Sequence, residues 1–399
     1  MIPRGPVALI DKPEDLTELI QDLRSVGSFA YDSEFIGEMS YHPKLCLIQV
    51  ATHKRVALVD PLAGLDLTEF WKLIADPAVE KVVHSGQQDL EPVFRQLHQR
   101  ATRIFDTQIA AGFIGLAYPV GLSKLVRELT GVQLGKGFTF THWDHRPLTN
   151  VQLRYAADDV RYLPAVRAAI GKRLETSGHE SWVAEECEAI CDPALYCLDP
   201  AADFMRVRGA NALSPKNLAI LRELVIWRDA AAQRHDMPPR TLLKDEILIE
   251  LSRSPVTEVA GLAKVRGLPR PVEASEGERI VATTQKGLAV PEDQWPALAT
   301  VEESPTERFA VDSLWATVQA WCTGHRVDPG LAASRQEIAR LYRDLQANGS
   351  LPNDHRLMRG WRGQLLGEVL IQFLRGSAAM QLQWQNGSLC STVAGPSSK

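Results

Sequence analysis

Two kinds of hydrophobic spacing follow one another along this chain of 399 residues. Up to about residue 175, short apolar runs such as Leu45–Ala51 alternate with stretches such as Asp15–Leu23, where apolar residues recur every three or four positions. The runs predict strands and the stretches predict helices. The alternation breaks between residues 198 and 213, at Pro200 and Gly209, and beyond it nearly all apolar spacing is helical. The pattern predicts an α/β domain followed by all-α bundles.

The sheet of the first domain is predicted to be mixed. Three apolar runs separated by short turns indicate a meander: Phe29–Phe35, Leu45–Ala51 and Val56–Asp60. Helices interspersed with the remaining short strands are typical of an α/β domain. A single long helix is predicted over Thr149–Glu175. We expect three domains, at residues 1–199, 200–288 and 289–399.

The composition excludes several classes of protein. No stretch reaches about 18 uninterrupted apolar residues, so we expect no membrane-spanning helix and no membrane partner. The first residues, Met1-Ile2-Pro3-Arg4, lack the basic-then-apolar pattern of a signal peptide. We therefore expect a cytoplasmic location. Nothing in the sequence identifies a protein partner.

The six cysteines are too few for a disulfide scaffold of this length. Cys187 and Cys191 are one helical turn apart, and Cys197 and His179 are nearby, which leaves open a structural zinc site. No Cys-x-x-Cys pair occurs, and the Glu-rich helix around these cysteines needs no metal. We therefore favour the interpretation without zinc.

Charge is distributed unevenly. Residues 1–200 carry 20 Lys and Arg against 27 Asp and Glu, whereas residues 201–399 carry 24 against 22. A nucleic-acid-binding surface is usually basic, so the acidic first half argues against a simple binding module. Acidic residues can still handle phosphates where they hold divalent metal ions.

Five residues in the first half could carry such chemistry. Asp32 and Glu34 lie two apart on a predicted strand, so both side chains are on one face. Asp89 opens a helix after the strand that ends at His84, where a capping role is the plain alternative. Asp159 follows Tyr155 by four residues on a helix, which places both on one side. Each residue alone has an ordinary structural explanation, and it is their order along the chain that indicates a catalytic site.

That set resembles the DEDD superfamily of 3′→5′ exonucleases, in the subclass with a catalytic tyrosine, and within it the ribonuclease D family. The resemblance covers about residues 5–175. It rests on Asp32-Ser33-Glu34-Phe35, on His84 through Asp89-Leu90, on Phe105 through Ala110, on Trp143 through Thr149 and on Tyr155-Ala156-Ala157-Asp158-Asp159. It implies a ribonuclease H-like, mixed-sheet exonuclease domain.

The resemblance continues into the helical half. Leu213-Ser214-Pro215-Lys216, the segment Leu221–Asp229 and the turn Gly267-Leu268-Pro269 are similar to landmarks of HRDC domains, small helical bundles found after ribonuclease D and some helicases. Residues 305–380 are similar to a second, diverged copy.

The family resemblance implies a mechanism with two divalent metal ions, Mg²⁺ or Mn²⁺. It implies that Asp32 contacts both ions, that Glu34 and Asp159 hold the ion on the nucleophile side, and that Asp89 acts through water on the other. Tyr155 is implied to orient the attacking water or help deprotonate it. The implied partner is RNA with a free 3′ end, and the products are 5′-mononucleotides. Transfer RNA precursors are the substrate that the family suggests.

Substrate contacts are predicted at four further positions. Phe35 could stack on the terminal base, or be a core residue. His84 could contact the substrate, or be a buried structural histidine. Lys136 and Arg146 are candidates for phosphate contacts, although most such residues are simply solvated.

The sequence departs from the family pattern at two positions, where Phe140 replaces an expected Arg and His142 an expected Asp. These replacements affect the expected grip on the substrate and leave the four carboxylates untouched.

Two alternatives remain open at this point. A DNA 3′→5′ exonuclease would share the motif set, although HRDC-like helices without a helicase or polymerase core favour RNA. A catalytically inactive RNA-binding adaptor would be expected to lack at least one carboxylate, and all four are present.

Overall fold

The computed structural model describes residues 2–37, 40–135, 142–197, 199–297, 303–349, 355–385 and 388–394. Within these ranges, six strands form a mixed sheet in the order β1-β4-β3-β2-β5-β6. The β1–β4, β2–β5 and β5–β6 pairs are parallel, and the β4–β3–β2 meander is antiparallel. Their bounds are β1 (Val7–Ile10), β2 (Ser28–Ile36), β3 (Lys44–Ala51), β4 (Val56–Val59), β5 (Glu80–Val83) and β6 (Ile104–Asp106).

Helices cover both faces of this sheet: α1 (Pro13–Val26), α2 (Thr68–Ala75), α3 (Glu91–Leu97), α4 (Thr107–Gly112), α5 (Leu122–Thr130), α6 (Asn150–Arg161), α7 (Leu163–Ser177) and α8 (Glu180–Ala189). A second group follows: α9 (Pro200–Asp203), α10 (Pro215–Arg234), α11 (Pro239–Leu242), α12 (Asp245–Arg253), α13 (Val259–Leu262) and α14 (Arg270–Leu288). The last group is α15 (Pro305–Gly324), α16 (Pro329–Ala332), α17 (Arg335–Asn348), α18 (Gly360–Arg362) and α19 (Glu368–Leu374). Every helix in the described ranges is too short or too polar to span a bilayer.

Strand β2 is longer than its parallel neighbour, and this difference creates an opening in the sheet. The pairing of β2 with β5 ends at Ala30 and Val82, whereas β2 stays paired with β3 as far as Ile36. The carboxyl half of β2 therefore has one free side. The 3₁₀ turn Gln88–Leu90, which follows β5, lies on that side.

The long helix predicted over Thr149–Glu175 is wrong, because the structure divides it into α6 and α7. Pro164 has no N–H to donate and clashes with a preceding helical turn, so the first helix ends at Arg161 and a new one begins at Leu163. The start of α6 is fixed by a capping box, in which Thr149 and Gln152 each bond the other's backbone N–H.

The predicted meander and the predicted helical second half are confirmed, with two additions. Strand β6 has only three residues, too few to show a periodicity. At the end of the described chain, β7 (Ala379–Gln385) and β8 (Ser388–Ala394) pair as an antiparallel hairpin, in a domain that was predicted to be helical.

Helices α9 to α14 enclose a hydrophobic core of their own. The 20-residue helix α10 packs on α12 and α14, and Leu218, Leu221 and Leu224 on it are fully buried. Trp227, also on α10, donates to the carboxylate of Glu276 on α14 at 3.2 Å. This group therefore satisfies the packing requirement of a separate small bundle.

Helices α15 to α19, in contrast, share a continuous hydrophobic core with α4, α7 and α8 of the first domain. Trp361 is fully buried, and its ring lies 4.8 Å from that of Phe113. Arg362 makes two bonds of 2.8 Å to the carboxylate of Glu186 on α8. The last helical group is therefore a brace on the first domain, and the division at residues 1–199, 200–288 and 289–399 stays a prediction.

Replacing Trp361 with alanine tests this brace. Trp361→Ala removes a buried aromatic side chain and the bond from its indole N–H to Glu186, so we expect a loss of about 3–5 kcal/mol in the free energy of unfolding. The measurement is urea unfolding followed by circular dichroism. Trp384→Ala is the matched control, since Trp384 is 76% exposed, and it should change stability by less than about 0.5 kcal/mol. Equal effects of the two substitutions would contradict a shared core.

Candidate active site

The acidic residues predicted from the sequence meet at the opening beside β2. Asp32 and Glu34 alternate along β2 and share the face on which α6 packs across β2, β3 and β4. Asp159 is on α6, and Asp89 is on the 3₁₀ turn at the free side of β2. The other three carboxylates are close enough to Asp32 that the charge of each raises the pKa of Asp32. Three separate segments of chain thus bring four acids together.

The opposite face of β2 holds Asp89 in place. Ser33 donates a hydrogen bond to the carboxylate of Asp89. The hydroxyl of Tyr31, which is fully buried, donates to the backbone carbonyl of Asp89 at 2.7 Å. Residues on both faces of β2 therefore contribute to the site: Asp32 and Glu34 supply charge, and Tyr31 and Ser33 position the third acid.

The loop before Asp89 is held by Asp106, the last residue of the neighbouring strand β6. Its carboxylate accepts the N–H groups of Ser85 at 3.1 Å and Gly86 at 3.0 Å, and also caps α4. Glycine is required at position 86, because a Cβ there would lie 2.5 Å from the Cβ of Val83. Sequence reasoning missed the role of Asp106, although its place at the junction of a strand and a helix was a usable signal.

The four carboxylates have raised pKa values. Desolvation is the largest cause for each, and it raises the pKa of Glu34 to about 8 and those of Asp89 and Asp159 to about 7. The pKa of Asp32 is raised well above its ordinary value by burial and then by Asp89, Asp159 and Glu34. Without a cation, this cluster resists carrying its full negative charge.

Tyr155 lies beside Asp159, one turn along α6, and is hydrogen bonded to it. Burial, followed by the charges of Asp159, Glu34 and Asp32, raises the pKa of the Tyr155 phenol well above its ordinary value. The phenol is therefore neutral near pH 7. A neutral phenol can orient a water molecule by donating or accepting a hydrogen bond, and it is a poor base by itself.

Gln49 is a further candidate that sequence reasoning missed. It is the register partner of Asp32 on β3 and is fully buried, and neither its amide nitrogen nor its amide oxygen has a partner in the described part of the chain. An unsatisfied buried amide costs about 1–3 kcal/mol. The available signal was a single polar residue inside the apolar run Leu45–Ala51.

These residues fit divalent metal ions. Carboxylate oxygens are the ligands that Mg²⁺ and Mn²⁺ prefer, and a bound cation would stabilise the charged form of acids whose pKa values are raised mainly by burial. The unpartnered amide of Gln49 beside Asp32 could bond to a water of a hydrated ion.

A cavity of about 390 Å³ opens between the start of α5 and the exposed face of α6. Tyr155 and Asp159 line it, together with Val151 and Arg154. Val151 is 52% exposed, and the Arg154 side chain is also exposed. The cavity thus joins an apolar contact and a cation to the acidic cluster. Neither Val151 nor Arg154 was singled out from the sequence.

The structure distinguishes among the predicted substrate contacts. Phe35 is half-buried and, among the described residues, is absent from the hydrophobic clusters of the core. His84 is partly buried and places its Nδ1 atom 3.0 Å from the hydroxyl of Thr107. Phe35 is thus partly exposed, whereas His84 is anchored to α4.

Arg146 has a structural environment. It donates to both carboxylate oxygens of Asp60, at 2.6 and 2.7 Å, and to the carbonyl oxygens of Cys46, Trp143 and His145. These contacts among the described residues account for all five N–H groups of the guanidinium. No N–H of Arg146 is left to donate to a phosphate. Lys136 and Phe140 lie outside the described residues.

The cysteine cluster considered for zinc makes bonds within the fold. The thiol of Cys187 accepts the N–H of Asp106 at 3.3 Å, and the thiol of Cys191 donates to the carbonyl of Cys187 at 3.4 Å. His179 places its Nδ1 atom 2.9 Å from the carbonyl oxygen of Phe113. Each of these groups therefore has a partner in the protein.

Comparison with known proteins identifies two of the domains of this chain. A family model described as a 3′-5′ exonuclease matches residues 7–175, and the HRDC domain model matches residues 217–284. The chain is thus a 3′→5′ exonuclease domain followed by an HRDC domain.

Comparison with individual proteins identifies the family more closely. The chain is 36% identical to ribonuclease D of Gluconacetobacter diazotrophicus over 92% of this chain and 93% of the relative, and 34% identical to that of Granulibacter bethesdensis over 96% of each. The crystal structure of Escherichia coli ribonuclease D matches with a TM-score of 0.80 and 29% identity, covering 93% of this chain and 99% of that one. The chain belongs to the ribonuclease D family and is a 3′→5′ exoribonuclease. Exonucleases of this superfamily generally use divalent metal ions.

The raised pKa values predict how metal-free protein responds to pH. Glu34, Asp89 and Asp159 bind a proton more tightly in the folded chain, with pKa values of about 7 to 8, than in the unfolded chain, where the values are about 4. Their protonation thus contributes stability that is complete below about pH 4 and is lost as the pH rises through 7 to 8. We expect the free energy of unfolding in a chelator to fall across that window, and Mg²⁺ at pH 8 to restore it.

The matched control is Glu34→Gln/Asp159→Asn, which removes two of the titrating groups. Its unfolding free energy should fall less between pH 4 and 8 than that of the parent. Parallel curves for the two proteins would show that these carboxylates do not have raised pKa values.

Proposed function

We propose that this exoribonuclease removes 5′-mononucleotides from the 3′ ends of structured RNA by hydrolysis that depends on two divalent metal ions. The observation that carries the proposal is the meeting of Asp32, Glu34, Asp89 and Asp159 beside one cavity, with Tyr155 at its wall. Four desolvated acids with raised pKa values are a costly arrangement unless cations bind between them.

Each acid has a proposed role. Asp32, whose pKa is raised by all three other acids, would hold both ions. Glu34 and Asp159 would help to hold the ion that activates the attacking water, and Asp89, fixed by Ser33, would help to hold the ion that stabilises the leaving group. When bound, divalent ions supply positive charge that offsets the anionic phosphodiester and lowers the pKa of water. Mg²⁺ and Mn²⁺ both suit this ligand set.

Tyr155 is proposed to orient the attacking water. Its phenol is next to Asp159 and borders the cavity, so it can hold a water by a hydrogen bond. Because its pKa is raised, the phenol remains protonated while doing so. Gln49 is proposed to support Asp32 from the opposite strand position.

The 3′ end of the RNA is proposed to occupy the cavity between α5 and α6. Arg154 is exposed there and can meet a backbone phosphate, which is the role that Arg146 is not free to take. Phe35, half-buried beside Glu34, is positioned along β2 to stack on a base.

Structured RNA, including transfer RNA precursors, is proposed as the substrate class. Escherichia coli ribonuclease D is described as an exoribonuclease involved in structured RNA processing. In the HRDC domain of this chain, Lys264, Arg266 and Arg270 are exposed around one loop, where they can contact the body of an RNA by salt-dependent phosphate contacts. A cytoplasmic location suits the buried cysteines, which are unpaired in the described residues.

The direct test compares matched ribose and deoxyribose oligonucleotides with Mg²⁺. We expect stepwise loss of 5′-mononucleotides from the 3′ end of the ribose strand, and no turnover by Asp32→Asn, which lacks a ligand charge. Preferred cleavage of the deoxyribose strand would favour a DNA exonuclease. RNA binding without cleavage by the parent protein would favour an adaptor.

Tyr155→Phe separates catalysis from binding. We expect unchanged RNA affinity and a single-turnover rate lowered by up to about 10²–10⁴-fold, since orientation or proton transfer is lost while the ring remains. Rapid-quench measurement at saturating Mg²⁺ gives the rate. Should the rate stay unchanged while affinity falls, Tyr155 would be a substrate contact only.

A further inference from the structure

A short turn before α6 carries three metal-binding side chains that the catalytic site does not use. Among the described residues, His142, Asp144 and His145 form a group whose candidate ligand atoms all lie within 4.8 Å of one another. All three side chains are exposed. The rings of His142 and His145 stack with 4.9 Å between centroids and 7° between planes.

The backbone of this turn is held rigidly. Arg146 donates to the carbonyl oxygens of Trp143 at 2.7 Å and His145 at 2.9 Å, and is itself anchored by both carboxylate oxygens of Asp60. The pairing with Asp60 also balances the charge of Arg146, the nearest cation in sequence. The three side chains therefore project from a fixed base, which lowers the cost of gathering them around an ion.

We propose that His142, Asp144 and His145 form a separate surface site for a cation of the Zn²⁺ class. Two imidazoles and one carboxylate, with water as a fourth ligand, are a common zinc set. Ligand atoms about 2.1 Å from a tetrahedral ion lie about 3.4 Å from one another. Rotation of exposed rings closes the remaining gap.

The site differs in chemistry from the carboxylate cluster. The four acids beside β2 offer only oxygen ligands, which suit Mg²⁺ and Mn²⁺, whereas imidazole nitrogen favours Zn²⁺. The second imidazole comes from His142, the position at which the family resemblance leads one to expect an aspartate. The proposed site shares no residue with the catalytic cluster, so it stands or falls independently of the proposed mechanism.

Occupancy of this site would brace the wall of the active site. Trp143 lies between the ligands in sequence and is 2% exposed. Its ring centroid lies 6.2 Å from that of Tyr155. A cation on the turn would restrict the backbone that presses Trp143 against Tyr155.

The test measures Zn²⁺ binding by calorimetry to the full chain carrying Asp32→Asn, with excess Mg²⁺ to occupy the remaining acids. We expect one Zn²⁺ per chain. His142→Ala and His145→Ala should each weaken binding at least about tenfold, since loss of even a supporting group typically costs 10–100-fold. His53→Ala is the matched control, because His53 is exposed on another loop, and it should leave binding unchanged.

A second measurement does not depend on any variant of the turn. Co²⁺ added to the same protein in excess Mg²⁺ should give visible absorption bands of a site with nitrogen ligands, and Zn²⁺ should abolish them by displacement. The proposal is overturned if these bands do not appear, or if the double variant His142→Ala/His145→Ala, with unchanged circular dichroism, binds Zn²⁺ as tightly as the parent.

Discussion

Repulsion among four desolvated carboxylates is the constraint on which the rest of the site depends. The fold holds Asp32, Glu34, Asp89 and Asp159 close together although burial raises the pKa of each, and neighbouring acids of the cluster raise those of Asp32 and Glu34 further. The surrounding structure has to offset the free-energy cost of burying four acids next to one another. It does so through the paired strands beneath the acids, the capping box that fixes α6, and the bonds that hold the loop before Asp89. A bound cation offsets the repulsion among the acids, and this favourable interaction contributes to the affinity for metal.

The sheet geometry explains how such a cluster arises from a short sequence. Since β2 extends beyond β5, its carboxyl half has a paired side and a free side. Asp32 and Glu34 face α6, while Tyr31 and Ser33 face the turn that carries Asp89. Because side chains alternate along β2, one face of the strand supplies two acidic residues and the other face supplies the residues that position Asp89. The brace formed by α15 to α19 supports the helices α4, α7 and α8 that pack around this arrangement.

Much of the fold and of the candidate site was predictable from the sequence, because the patterns that indicate them lie within short segments. The meander, the helical second half and the ordered set of acids with Tyr155 follow from spacing and motif order. The sequence did not predict that all the guanidinium N–H groups of Arg146 donate to Asp60 and three carbonyl oxygens, because these partners are up to 100 positions away. Asp106 and Gln49 each carried a local signal, but their roles were missed because the loop N–H groups that Asp106 accepts and the strand position opposite Gln49 are distant in sequence. The single helix predicted over Thr149–Glu175 overlooked the local effect of Pro164.

The central claim is that these four acids hold two catalytic ions. Crystals of the protein soaked in Mn²⁺ and measured by anomalous scattering test it most directly. The account predicts two anomalous peaks beside β2, one contacted by Asp32, Glu34 and Asp159 and the other near Asp32 and Asp89. Crystals that show Mn²⁺ elsewhere on the chain, with no peak among these carboxylates, would contradict it.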